Sequence, residues 1–537
     1  SGVPDYDVTD FLGATVEAVP SWYAASPDPN QCDEVATTGC IAEASAPVDA
    51  TPVGSSPLLQ GVSGIRNWHM FTYFTSLPSE AQELFRYSFT CTSAQPQACE
   101  AGTSYNNNVP SPLPVVALIP FGTAAFGNGA VLLTSDSDTF SDDALGNSSG
   151  NDTLAENFFN YVAGNLSQGF TPMTPTRILD TRNGIGAPTA KVAAASEVSV
   201  QVTGVAGIPN DATAVALNVT ATNQEGAGFL TVYPNGRTRP NTSNLNIPPG
   251  LVDTANAVVV QIGDGGKVNI WNENNPTDIV VDVTGYWSPS GEGLVTATTP
   301  ERILDTRNNI GTTGGALGEG ETRTVQVHGE GGVPNDATAV ILNVTATEGT
   351  RGGFLTVHDT ATVPNASNVN FQANTNRPNL VFAVISSSGT VNVTNAFGQT
   401  HVIFDVMGYV TPSSGSVLSP VGPIRILDSR NGTGTTAGKV ASNATIEMTV
   451  NGDTTAPEGA SAVLINLTVD APDAAGFLTA HPDASVPNAS NVNFAPSQTV
   501  PNLVLARVGS DGNVRITNTS PGTSNIIADV FASFPSS

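Results

Sequence analysis

The sequence predicts a mainly β protein: three tandem β-sandwich or jelly-roll-like repeat domains, preceded by a smaller disulfide-containing N-terminal domain of α/β or α+β character. Three observations predict it. Only 12% of the 537 residues are charged, while 53 Gly and 38 Pro punctuate short apolar runs, a composition suited to strands and turns. A seven-residue phrase returns three times after residue 170, which marks a duplicated domain rather than a short-period solenoid. Inside each copy the apolar residues alternate with period two, as half-buried strands require.

The phrase is Arg177-Ile-Leu-Asp-Thr-Arg-Asn183, Arg302 to Asn308 and, with Ser for Thr, Arg425 to Asn431. Other landmarks keep the same register: Asn218, Asn343 and Asn466; Gly-Phe-Leu-Thr from Gly228, Gly353 and Gly476; Asn-x-Ser-Asn-x-Asn from Asn241, Asn365 and Asn488; and Asp282, Asp405 and Asp529. Domains are expected at 1–171, 172–290, 297–413 and 420–537, with Ser/Gly/Pro joints at Ser288–Gly293 and Thr411–Ser416 short enough that neighbours touch.

Val198, Val200 and Val202 share one face of a strand, and Val215, Leu217 and Val219 share one face of the next. The opposite parity of the second strand carries Ala216, matched by Ile341 and Leu464, so both of its faces are expected to be covered. Asn218, Asn343 and Asn466 then fall inside the fold, where an amide is expected to bond backbone groups rather than carry a glycan, although Asn-Val-Thr and Asn-Leu-Thr match the glycosylation sequon. Residues 256–262, the turn Gly263-Asp-Gly-Gly266 and residues 267–271 read as a hairpin, with counterpart turns at Ser386–Gly389 and Gly509–Gly512. A strand rich in branched residues, Asp278–Val283, closes the copy.

Together these strings resemble the RILDTR-type repeats of secreted actinobacterial surface proteins. The resemblance covers about residues 172–537 and implies an appended extracellular module with a surface or envelope role and no chemistry of its own. The third copy departs at its end, where Asp529-Val-Phe-Ala532 replaces Asp282-Val-Thr-Gly-Tyr286, as a terminal capping copy would. In the first 171 residues, 115–119 and 130–134 read as buried strands and Thr153–Val162 has helical spacing; the strand, the acidic loop Ser135–Asp143 and the Asn-rich entry to the helix resemble the last βα unit of non-catalytic glutamine-amidotransferase-like domains.

The repeated ionisable set is Arg177, Asp180, Arg182 and Asp282; Arg302, Asp305, Arg307 and Asp405; and Arg425, Asp428, Arg430 and Asp529. Arg and Asp in this pattern are expected to pair and pin an edge strand. The alternative is an Arg fork that grips a carboxylate or sugar. Three weak glycan sites would gain avidity from their tether, but the aromatic platform such sites use is limited to Trp271 and Trp287 of the first copy.

Cys32, Cys40, Cys91 and Cys99 form two pairs with seven intervening residues each, which suits two local disulfides and an oxidising compartment. A start at Ser1 without Met is read as a mature secreted chain, hence an extracellular or cell-surface location. Asp136, Asp138, Asp142 and Asp143 could offer carboxylates to Ca2+, although an EF-hand's Gly and twelfth-position Glu are missing; capping of backbone N–H groups is the competing role. No other cofactor is expected. A net charge of −28 disfavours nucleic-acid and anionic-membrane partners, and no run of about 18 apolar residues predicts a bilayer span.

No metalloprotease, Walker, dinucleotide or nucleophile-elbow motif is present, so no enzyme is expected. The function expected is a non-catalytic extracellular structural protein, the subunit of a homopolymeric surface or extracellular filament, with residues 1–12 adding a strand to a neighbour's sheet edge. The competing class is a monomeric adhesin that binds carbohydrate or cell-envelope glycan through three weak repeated sites.

Overall fold

The computed structural model describes residues 169–250, 252–451 and 459–535, together with the backbone of seven strands that precede them. The chain divides into two compact units, Ser1–Asn165 and Leu166–Ser537. In the first, β1 (Thr15–Ala18) pairs with β4 (Thr72–Ser76). A five-stranded sheet has the order β3 (Ile65–Asn67), β2 (Val48–Pro52), β5 (Gln82–Tyr87), β6 (Leu113–Ile119) and β7 (Val131–Thr134). Its described pairs are antiparallel, β6 with β7 included. The cysteines, the acidic loop and the segment Thr153–Val162 lie outside the described residues.

In the second unit each copy supplies eight strands. The first has β8 (Gly169–Asp180), β9 (Ser196–Gln201), β10 (Ala214–Thr222), β11 (Gly228–Pro234), β12 (Leu245–Ile247), β13 (Thr254–Gln261), β14 (Lys267–Asn272) and β15 (Asp278–Ser288). The second has β16 (Leu294–Asp305), β17 (Thr322–Gln326), β18 (Ala339–Thr347), β19 (Gly353–His358), β20 (Val369–Phe371), β21 (Arg377–Val384), β22 (Thr390–Asn395) and β23 (His401–Thr411). The third has β24 (Ser419–Asp428), β25 (Thr445–Thr449), β26 (Ala460–Asp470), β27 (Gly476–His481), β28 (Val492–Phe494), β29 (Thr499–Arg507), β30 (Asn513–Thr519) and β31 (Asn525–Pro535).

Every copy divides these strands into two antiparallel sheets of four, β13-β10-β15-β8 and β12-β11-β14-β9 in the first. The unit is thus six four-stranded sheets arranged as a six-bladed β-propeller. This corrects the expected three tandem β-sandwich or jelly-roll-like domains. Alternation shows that a strand has two faces, but not what covers each. Val215, Leu217 and Val219 of β10 point into a core shared by the two sheets of their own copy, with Leu230, Val232, Val268 and Ile270 opposite. Ala216, Ile341 and Leu464 point the other way, into one cluster fed by all three copies. At about 25 cal/mol per Å2 of apolar area, that second face is buried only if the copies close on one another.

They do close. Asn218 of the first copy bonds Ser367 of the second, Asn343 of the second bonds Ser490 of the third, and Asn466 of the third bonds Ser243 of the first. A ring has no terminal member, so the third copy is not a cap. Its Phe534 replaces Trp287 and Val410 in the same central cluster.

The expected hairpin is corrected as well. β13 and β14 belong to different sheets, as do β21 and β22, and β29 and β30. The Gly-rich turn is a corner that carries the chain from one sheet to the other. Gly265 and Gly266 take φ +69° and +72° there, and only the bridge Gly263 to Lys267 joins the two sides. Among the described residues the only helical turn is the 3-10 segment Asp264–Gly266, and no helix is long and apolar enough to cross a membrane.

Candidate functional site

The recurring polar residues converge at the seams between copies. β8 is an edge strand, and its Arg177 reaches across to β15, donating from Nε and Nη2 to the two oxygens of Asp282 at 2.9 and 3.2 Å. Nη1 of Arg177 donates to Asp180 at 3.4 Å. Arg182 closes the cluster: its Nε, Nη2 and backbone N–H donate to Asp180 at 2.9, 2.8 and 3.0 Å. The same bonds recur for Arg302, Asp305, Arg307 and Asp405. They recur again for Arg425, Asp428, Arg430 and Asp529.

The two carboxyls of a cluster shift in opposite directions. Burial raises the proton affinity of Asp180 and Asp305, but the bonds and charge of Arg182 and Arg307 outweigh it and hold both acids below the usual carboxylate range; for Asp428 the bond from Arg430 is the main cause. Burial dominates at Asp282, Asp405 and Asp529, which lie above the usual range despite the Arg forks. Each cluster therefore balances two cations with two carboxylates. No guanidinium face is left free of a carboxylate in a way that would favour a bound anion.

Beside each cluster sits an amide clasp. Asn218 Nδ2 donates to the Ser367 carbonyl at 2.5 Å, and Asn379 Nδ2 donates to Asn218 Oδ1 at 2.8 Å. Asn368, in the same Asn-x-Ser-Asn-x-Asn corner, accepts from the Val357 N–H at 2.7 Å and so presents that carbonyl. Asn343 with Asn502, and Asn466 with Asn256, repeat the arrangement. All three amides are buried, which is incompatible with a glycan on them.

A cleft of about 300 Å3 opens at the seam between the first and second copies. The first copy contributes Arg177, Arg182, Thr220, Thr222 and Asp253; the second contributes Phe354, Val363, Asn365, Asn370 and Thr394. Two of the buried polar atoms on its wall, Thr220 Oγ1 and Asn370 Oδ1, have no hydrogen-bond partner. In the seam between the third and first copies, Trp271 occupies the position of Thr394. Arg239 stacks 4.1 Å above Trp271, and Glu273 accepts from both.

Sequence reasoning missed Thr220, Phe354 and Asn370. Phe354 and Asn370 lie in the repeated Gly-Phe-Leu-Thr and Asn-x-Ser-Asn-x-Asn strings, whose recurrence was a signal for a seam; Thr220 was marked only as the third residue of the Asn218 sequon. Trp287, considered as an aromatic platform, is fully buried against Phe170 at 4.5 Å. Among the described residues, no group of three or more His, Cys, Asp or Glu is placed to hold a metal ion.

His358 and His481 are satisfied core residues. His358 lies between the Thr360 carbonyl and Thr394 Oγ1 at 2.8 and 3.0 Å, and His481 between the Asp483 carbonyl and Thr517 Oγ1 at 2.7 and 2.9 Å. Burial pushes both imidazoles below their ordinary pKa. Such a group binds fewer protons folded than unfolded. Its contribution is therefore complete above the unfolded value of about 6.5 and is lost as pH falls from there toward the folded value. The His358→Gln/His481→Gln double variant is expected to flatten melting temperature against pH between about pH 7 and 5, relative to wild type. Parallel curves would contradict neutral burial of the two rings.

No family model and no curated protein sequence matches the chain. One solved structure that it resembles comes from the work titled "Life in the extremes: atomic structure of Sulfolobus Turreted Icosahedral Virus". The two are 12% identical over 71% of this chain and 95% of that one, with a TM-score of 0.14. That superposition is too poor to bear on fold or function.

Proposed function

We propose that this chain is a non-catalytic extracellular structural protein that acts as the subunit of a homopolymeric surface or extracellular filament. The observation that carries the proposal is how the repeated ionisable motif is used. All twelve of its members bond one another within their own copies, and the adjoining amides tie each copy to the next. Groups so engaged hold a body rigid and are not poised to move protons or attack a substrate.

A rigid ring suits a load-bearing subunit. Polymerisation then needs a head-to-tail contact that does not close. Residues 1–12, outside the described residues, are the proposed tie. The second sheet of each copy ends in the short edge strand β9, β17 or β25, to which an extended segment could add main-chain hydrogen bonds. Electron microscopy of the native full-length protein, with light scattering over a wide concentration range, is expected to show rods with one axial repeat and a mass above one chain. A single-chain mass at every concentration would retire the filament proposal.

A further inference from the structure

We infer that the cleft between the first and second copies is a binding site for a neutral oligosaccharide segment. The inference does not depend on whether the chain polymerises. It starts from two polar atoms that a folded protein does not leave bare without a desolvation cost. Thr220 is 4% exposed and Asn370 is 8% exposed, both line the cleft, and Thr220 Oγ1 and Asn370 Oδ1 have no partner within the protein.

Their chemistry defines what would satisfy them. The Asn370 oxygen only accepts, so it needs an O–H or N–H donor. The Thr220 hydroxyl can donate or accept. A sugar hydroxyl does both. The charge in the cleft argues against an anion: Arg177 and Arg182 are each bonded to Asp180 or Asp282, and Asp253 adds a further exposed carboxylate.

The second copy's side of the cleft also carries apolar and aromatic groups, with Phe354 the cross-strand neighbour of Asn370. Phe354 stands edge-on to Phe397 at 5.8 Å, and Phe397 and Val363 are each 42% exposed. A pyranose offers the matching combination, a ring face of C–H groups with hydroxyls at its rim. At about 300 Å3 the cleft lies at the lower limit for a small-ligand site, enough for a short stretch of chain.

The site is not repeated equally three times. The corner residue equivalent to Asn370 in the third copy, Asn493, already accepts from Ser490 Oγ at 2.9 Å, and the seam between third and first copies holds the Trp271, Arg239 and Glu273 stack. The seam between the first and second copies, lined by Thr220 and Asn370, therefore differs in composition from the other two.

The test is calorimetric titration of the full chain with cellotetraose, chitotetraose and mannotetraose, with tetraalanine amide as a hydroxyl-free control. At least one saccharide is expected to bind with a Kd in the millimolar range or tighter, about 1 mM corresponding to −4.1 kcal/mol. Thr220→Val and Phe354→Ala should each weaken binding at least about tenfold. Thr345→Val, at the equivalent hydroxyl of the second copy, should leave it unchanged. Because Thr220→Val replaces an unpartnered hydroxyl with a methyl of like size, its melting temperature should equal or exceed that of wild type, so lost binding would not reflect misfolding. Failure of all three saccharides to bind overturns the inference. So does equal binding of tetraalanine amide, or binding that survives both cleft variants.

Discussion

Replacing Asp405 by alanine is expected to lower the stability of the propeller unit by about 3–5 kcal/mol, the usual cost of removing one partner from a buried ion pair. Asp405 is fully buried, and Arg302, 14% exposed, holds its two oxygens at 2.8 and 3.2 Å. Without Asp405, the cluster keeps two guanidinium groups against the single carboxylate of Asp305, which Arg307 already occupies at 2.9 and 2.8 Å. Arg302 would then be a desolvated charge with only the long 3.4 Å contact to Asp305. The double variant Arg302→Met/Asp405→Leu removes both charges and should recover most of the loss, because hydrophobic replacements of buried pairs are often neutral or stabilising. Urea denaturation of the three proteins measures this. A loss under about 1 kcal/mol for Asp405→Ala would mean that solvent already screens the pair.

Truncating Trp287 to alanine should cost a similar about 3–5 kcal/mol, by cavity formation rather than by charge. Trp287 is 0% exposed and joins Phe170 of its own copy at 4.5 Å to Phe382 of the second copy at 5.9 Å. Phe170 also meets Phe382 at 5.4 Å, so the three rings bridge the first two copies inside the central core. Trp287→Phe should cost much less. It keeps an aromatic body and removes an indole N–H that is buried without a partner. If Trp287→Phe destabilised as much as Trp287→Ala, the indole nitrogen would have to be bonded, contrary to its surroundings. Near-ultraviolet dichroism should show the aromatic cluster disturbed in the alanine variant before global unfolding.

Both effects arise at places the sequence marked for different reasons. Arg302 and Asp405 are about a hundred residues apart, yet their recurrence as Arg177 with Asp282 and Arg425 with Asp529 exposed them as a set. Trp287 recurs in no other copy: its counterparts are Val410 and Phe534. Repetition reveals what each copy needs for itself, whereas the centre of the ring needs only a summed volume. Large and small residues can therefore trade places there among copies.

The hairpin expectation failed for a related reason. Residues 263–266 have the composition of a tight turn, and a tight turn between two β runs is normally read as a pairing signal. Here β13 pairs with β10 and β14 pairs with β11 and β9. The turn residues set the reversal of the chain; packing of the two sheets against a shared core set which strands became neighbours.

Composition and periodicity alone determined that the chain is mainly β, that one β unit is written three times, and which Arg, Asp and Asn residues carry common duties. Those properties are local or recur along the chain. Only the tertiary structure decided that the copies surround one another instead of standing in line, and that a cleft opens at the seam between the first and second. The difference lies in the second face of β10, β18 and β26. Period-two alternation says that Ala216, Ile341 and Leu464 leave water, but burying them is a collective event, satisfied only when three surfaces distant in sequence meet around one core.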